Sequence, residues 1–120
     1  MKKTGIELIA QERTEQIEKH GWSLEHDQYY GEGQLVQAAK FCIEQAMKSI
    51  AGRIKEMHKW PEGWDNYFQD KIRNKSIIGQ YTVAGAFFMA ENDRLGSNEF
   101  QPRIDAIASE IDRLLSIGLE

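Results

Sequence analysis

The chain holds one cysteine and two prolines in 120 residues, and no long apolar run. A lone Cys42 excludes an intramolecular disulfide and suits a reducing compartment. It sits in an apolar helical stretch, where it reads as a small buried hydrophobe. No stretch approaches the ~20 apolar residues of a membrane span. The opening MKKTGIELIA has lysines but lacks the apolar run of a signal peptide. The expectation is a cytoplasmic protein with no membrane partner. Positive charge is also short: 15 Lys and Arg against 19 Asp and Glu give a net charge of −4. That argues against nucleic acid as a partner, because such affinity rests on neutralising phosphates. There is no Walker loop, no Ser-His-Asp arrangement, no C-x-x-C and no basic recognition helix, so the motif-defined enzyme classes lack support.

What is present fits a globular protein. The apolar fraction of 41% and charged fraction of 28% suit one helical domain over residues 1–120 with a single core. Helical periodicity marks four segments. The first spans residues 4–20, with Thr4 and Glu7 spaced as a capping box. Ile6, Ile9, Ala10 and Ile17 form its apolar row, with Arg13 as the polar interruption, so Arg13 and Gln16 face inward while Glu15 and Glu18 face water. Gly21 ends it. The second spans residues 34–57 with the best stripe in the chain: Leu35, Ala38, Ala39, Cys42, Ile43, Ala46, Met47 and Ile50. The third starts at Asp70 or Asn74 and runs to Leu95, preceded by a short helical turn at 65–69. The fourth spans residues 102–117. The small residues Ala38, Ala39, Cys42 and Ala46, and Ala84-Gly85-Ala86, predict a close crossing of helices two and three. They also suit self-association into a homo-oligomer. The fold expected is all-α, an irregular bundle of about four helices.

The chemistry concentrates between Glu12 and Asp27. ERTEQIEKHGWSLEHD contains two of the three histidines, His20 and His26. Trp22, Tyr29, Tyr30, Trp60, Trp64 and Tyr67 all fall in or beside connections. Arg13, Lys19, Arg73 and Lys75 place positive charge within reach. Flat rings for a base and cations for phosphate are what a nucleotide pocket needs. The ligand-binding set is therefore Arg13, Gln16, Lys19, Trp22, His26, Asp27, Tyr30, Trp64 and Arg73. In it Arg13, Lys19 and Arg73 hold phosphate, Trp22 and Tyr30 stack, and His26 and Asp27 read polar edges. No complete catalytic set accompanies these residues, and no cofactor or metal is called for.

Two other readings stay open. Glu12 and Glu15 form an E-x-x-E pair, which with His26 and Asp27 could hold Mg²⁺ or Mn²⁺ for nucleotide hydrolysis. All-α pyrophosphatases of the MazG kind add E-x-x-D on the next helix, whereas helix two offers only Glu44 and Glu56. The other reading is a protein–protein inhibitor acting through Trp60 and Trp64. Glu91 pairs either with Arg94, one helical turn away, or with an inward-facing Arg13.

Three blocks carry a resemblance. ERTEQIEKHGWSLEHD at 12–27 leads into the G-x-L-x-x-A-A segment from Gly33 to Ala39; WPEGWD follows at 60–65, and VAGAFFMAENDRL at 83–95. Together they cover about half of the chain. They resemble a group of small helical proteins of bacteriophages, prophages and some bacterial genomes. Asn92 departs from that group's apolar residue, and the helix from Pro102 onward looks like an addition. The resemblance implies a phage-associated setting in a host cytoplasm, where a nucleotide binder would sequester a host immune signal.

Overall fold

A computed structural model describes residues 3–20, 33–55 and 57–119. Among them are five helices and no strand: α1 (Gly5–His20), α2 (Gln34–Ala51), α3 (Asn66–Arg73), α4 (Ile77–Leu95) and α5 (Gln101–Ser116). The all-α expectation holds, with five helices in place of four. None of the described helices is long and apolar enough to cross a membrane.

α4 is the axis of the bundle. Thirteen of its 19 residues are buried, so it is covered on nearly all sides. The other four helices all pack against it. An all-round apolar helix can satisfy its surface only in the middle of a bundle. Its most extensive interface is with α2. Ala38, Ala39, Cys42 and Ala46 of α2 are fully buried, and their small side chains let the two backbones approach. Burial pushes the Cys42 thiol far up, which keeps it protonated and inert.

Two boundaries differ from expectation. α2 stops at Ala51 rather than near Met57. Gly52 takes a left-handed φ of 79°, and its N–H donates to the carbonyl of Lys48. That conformation ends a helix at little cost only for glycine. The long helix, expected from Asp70 or Asn74 after a short helical turn at 65–69, starts at Ile77, and the turn is a helix of its own that runs to Arg73. Asp65 caps α3 by accepting from the Tyr67 N–H at 2.9 Å. Ser76 then starts α4 afresh, its hydroxyl accepting from the Gly79 N–H at 3.0 Å. Gln80 Nε2 donates to the Ile72 carbonyl at 3.1 Å and ties the end of α3 to α4.

α1 begins with the expected capping box: the Thr4 N–H donates to Glu7 Oε1 at 3.0 Å, and the Glu7 N–H donates to Thr4 Oγ1 at 3.4 Å. Its buried row is Gly5, Ile9, Arg13 and Gln16. Ile6, Ala10 and Ile17, expected on its apolar row, are exposed, Ile6 by 41% and Ile17 by 40%. Two glycine contacts set this rotation. A Cβ on Gly5 would meet the Ala108 carbonyl of α5 at 2.3 Å, and one on Gly85 would meet Ile9 Cδ1 at 2.6 Å. Gly85 thus makes room for α1, in addition to the small-residue packing of α2. The Gly5 N–H also donates to Asp112 of α5 at 2.7 Å.

Candidate ligand-binding site

The WPEGWD turn builds one side of the molecule. Gly63, at φ 86°, turns the chain, and Trp60 is buried beneath it. The Trp60 ring meets Phe41 edge-on at 5.6 Å and Trp64 edge-on at 5.3 Å. Trp64 packs in turn on Phe87 of α4 at 5.9 Å. The Trp60 indole N–H donates to the Asp65 carbonyl at 3.2 Å, which fixes the ring against the cap of α3. This aromatic cluster underlies an open trough of about 730 Å³, whose lining includes His58, Lys59, Trp64 and Arg73. Its size lies within the usual ~300–1,000 Å³ of small-molecule sites.

The segment leading into the turn is held by Glu44 of α2. Its Oε2 accepts from the Met57 N–H at 2.7 Å and the His58 N–H at 3.3 Å, and its Oε1 meets His58 Nδ1. Burial pushes the Glu44 carboxyl upward. The hydrogen bonds from the His58 ring and the two backbone N–H groups outweigh that and hold it below its ordinary range. Gln37 adds a bond from Nε2 to the Lys59 carbonyl at 2.8 Å. The Arg73 guanidinium lies 5.5 Å over the Phe41 ring, a cation–π contact that places its charge in the trough.

A second group of polar residues lies on the inward face of α1. Arg13 and Gln16 are both buried, as their inward reading requires. Arg13 Nε donates to Asp93 Oδ2 of α4 at 3.0 Å, and its Nη1 donates to Gln16 Oε1 at 3.4 Å. Glu91, also buried, pairs with Arg94 of its own helix. Glu15 does not face open water: it is half-buried and, with Glu12 and Gln16, lines a small cleft against α3 and α4. Among the described residues no three His, Cys, Asp or Glu side chains gather as a metal set.

The expected ligand-binding residues therefore divide. Trp64 and Arg73 share the trough. Arg13 and Gln16 bond to each other on α1. Phe87 touches both regions, packing on Trp64 and lining the α1 cleft. Trp22, His26, Asp27, Tyr30 and the side chain of Lys19 lie outside the described residues. The trough also recruits His58 and Lys59, which are outside the ligand-binding set expected from the sequence. Their place directly before Trp60-Pro61 was the available signal. Glu44, their anchor, carried none.

No known protein family, curated protein or solved structure matches the chain.

Proposed function

We propose that the protein binds a nucleotide or a related phosphorylated small molecule in the trough beside Trp64. The supporting observation is that two cations, Lys59 and Arg73, line the same nucleotide-sized trough as the Trp64 ring and the His58 imidazole. Arg73 and Lys59 take the phosphate oxygens, the guanidinium in a two-pronged contact and the ammonium as a point charge. Trp64 offers a ring face to the base. Asn66 and Gln69, which also line the trough, supply donors and acceptors for its polar edges. In the phage setting that the three sequence blocks imply, the use of such a protein is to sequester a host signal.

Calorimetric titration against mono-, di- and cyclic nucleotides tests this. At least one should give a saturable heat, and Arg73→Ala should weaken it by about tenfold or more, since hydrogen bonds to charged groups contribute roughly 1.5–3 kcal/mol. Absence of heat with every nucleotide would sink the reading.

A further inference from the structure

His58 lines the trough with its backbone fixed on both sides. Glu44 accepts from the N–H groups of Met57 and His58, and Gln37 Nε2 donates to the next carbonyl, that of Lys59. The ring is fixed as well, because its Nδ1 meets Glu44 Oε1. Glu44 reaches it from the buried side: the carboxylate side chain is 12% exposed, against 33% for His58. A carboxylate on Nδ1 makes that nitrogen the N–H donor and leaves the lone pair on Nε2. Among the described residues nothing bonds Nε2, and the ring shares the trough with Lys59 and Arg73. An imidazole oriented by a carboxylate behind it, with its second nitrogen open to a ligand site, is the arrangement of a general base. Glu62 also lines the trough, but it is exposed and no described residue orients it.

We propose that His58 is the general base for hydrolysis of a phosphoanhydride bond in the nucleotide, with Glu44 as its positioning residue. The reaction presupposes nucleotide binding beside Trp64 and goes beyond it. A water from the open side of the trough attacks phosphorus through its oxygen. His58 Nε2 takes the water proton as the new P–O bond forms. The anhydride P–O bond breaks, and its electron pair leaves on the bridging oxygen of the departing phosphate or pyrophosphate. Arg73 and Lys59 meet the charge on the phosphate oxygens. The imidazolium, stabilised by Glu44, then gives its proton to solvent. The residues present select both the nucleophile and the bond. No serine, threonine or cysteine is among the described residues that line the trough, so the nucleophile is water. His58 is the one imidazole among them, so no second imidazole protonates a leaving group. An alkoxide departing from a phosphate ester needs that proton, whereas a phosphate departing from an anhydride does not.

The test incubates the full chain with nucleoside di- and triphosphates, with and without Mg²⁺, and measures released phosphate and pyrophosphate. At least one nucleotide should be cleaved. His58→Asn keeps an amide N–H near the Nδ1 position for Glu44 but has no base. It should lower kcat by about 100-fold or more at unchanged KM, the usual worth of general acid–base catalysis. Glu44→Gln, assayed below its melting transition, should lower kcat by about tenfold or more at unchanged KM, because a charge-assisted hydrogen bond to the ring is lost. A purely structural role for the pair would leave kcat of the folded His58→Asn variant as it is. Two results overturn the proposal: no nucleotide cleaved, or His58→Asn turning over like the parent. Calorimetry on the same samples separates this from the binding reading. A nucleotide that binds and is not cleaved sinks the reaction alone, whereas absence of binding sinks both.

Discussion

Glu44 shows how one side chain organises a surface. Its carboxylate gathers two backbone N–H groups and an imidazole from residues 57 and 58, and so holds the entry to the WPEGWD turn on α2. Its carboxyl is held below the ordinary range in the folded protein. A depressed group contributes stability above its unfolded pKa and loses that contribution as pH falls through the folded pKa. Glu44→Gln should therefore lower stability at pH 7 by about 1–2 kcal/mol, as expected for hydrogen bonds to a charged acceptor. The gap from the parent protein should close in acid, as pH falls through the folded-state pKa, which lies below the ordinary glutamate value of about 4.3. Urea unfolding at pH 7 and in acid reads this directly; a gap that persists in acid would refute the linkage. Glu44 was not legible as an anchor, because a contact across 14 residues of a helix and its following loop has no period to detect. Arg13 and Gln16 were legible, because they share a helical row with Ile9. That row was read one position too far toward Ile6 and Ile17, since hydrophobicity outvoted the two glycines that set the rotation.

Helix boundaries here depend on single caps. The apolar period runs on through residues 70–95 with no obvious stop, so the sequence leaves the start of the long helix open between Asp70 and Asn74. The break is made by Ser76, whose hydroxyl can serve equally as an interior residue or as a cap. In the structure it caps, and α3 becomes free to turn and carry Lys71 and Arg73 to different surfaces. Ser76→Ala should cost about 1 kcal/mol, the usual worth of an N-cap. Gly5→Ala makes the opposite kind of test. Alanine is the better helix former by about 1 kcal/mol, yet its Cβ would lie 2.3 Å from the Ala108 carbonyl, a backbone atom that cannot swing aside. The helix must move, and overpacking of this sort costs about 1–3 kcal/mol. Both variants are measured by denaturant midpoints. A stabilised Gly5→Ala would mean that α1 and α5 are not in close contact.

For the molecule as a whole, α5 belongs to the core. From sequence, Asn92 and the helix beyond Pro102 were two separate departures from the phage pattern. In the structure they are one feature. Asn92 Oδ1 accepts from the Phe100 N–H at 2.9 Å, and the Asn92 carbonyl accepts from the Ser97 N–H at 3.0 Å, so this residue turns the chain from α4 into α5. Phe100 then stacks on Phe88 of α4 at 5.5 Å. Ile104, Ile107, Ile111 and Leu114 of α5 all enter the common core. At roughly 1.5–3 kcal/mol for each buried side chain, these four contribute about 6–12 kcal/mol of gross burial. That is comparable with the ~5–15 kcal/mol net stability of an ordinary domain. A chain ended at Gly96 should accordingly lose its cooperative thermal transition in circular dichroism and bind a hydrophobic dye such as ANS. Asn92→Leu should keep a cooperative transition but lose about 1–3 kcal/mol, because the part-buried Phe100 N–H is left without its acceptor. If the shortened chain melted cooperatively at the parent temperature, α5 would be an appendage after all, and the pairing of Asn92 with Phe100 would be incidental to the fold.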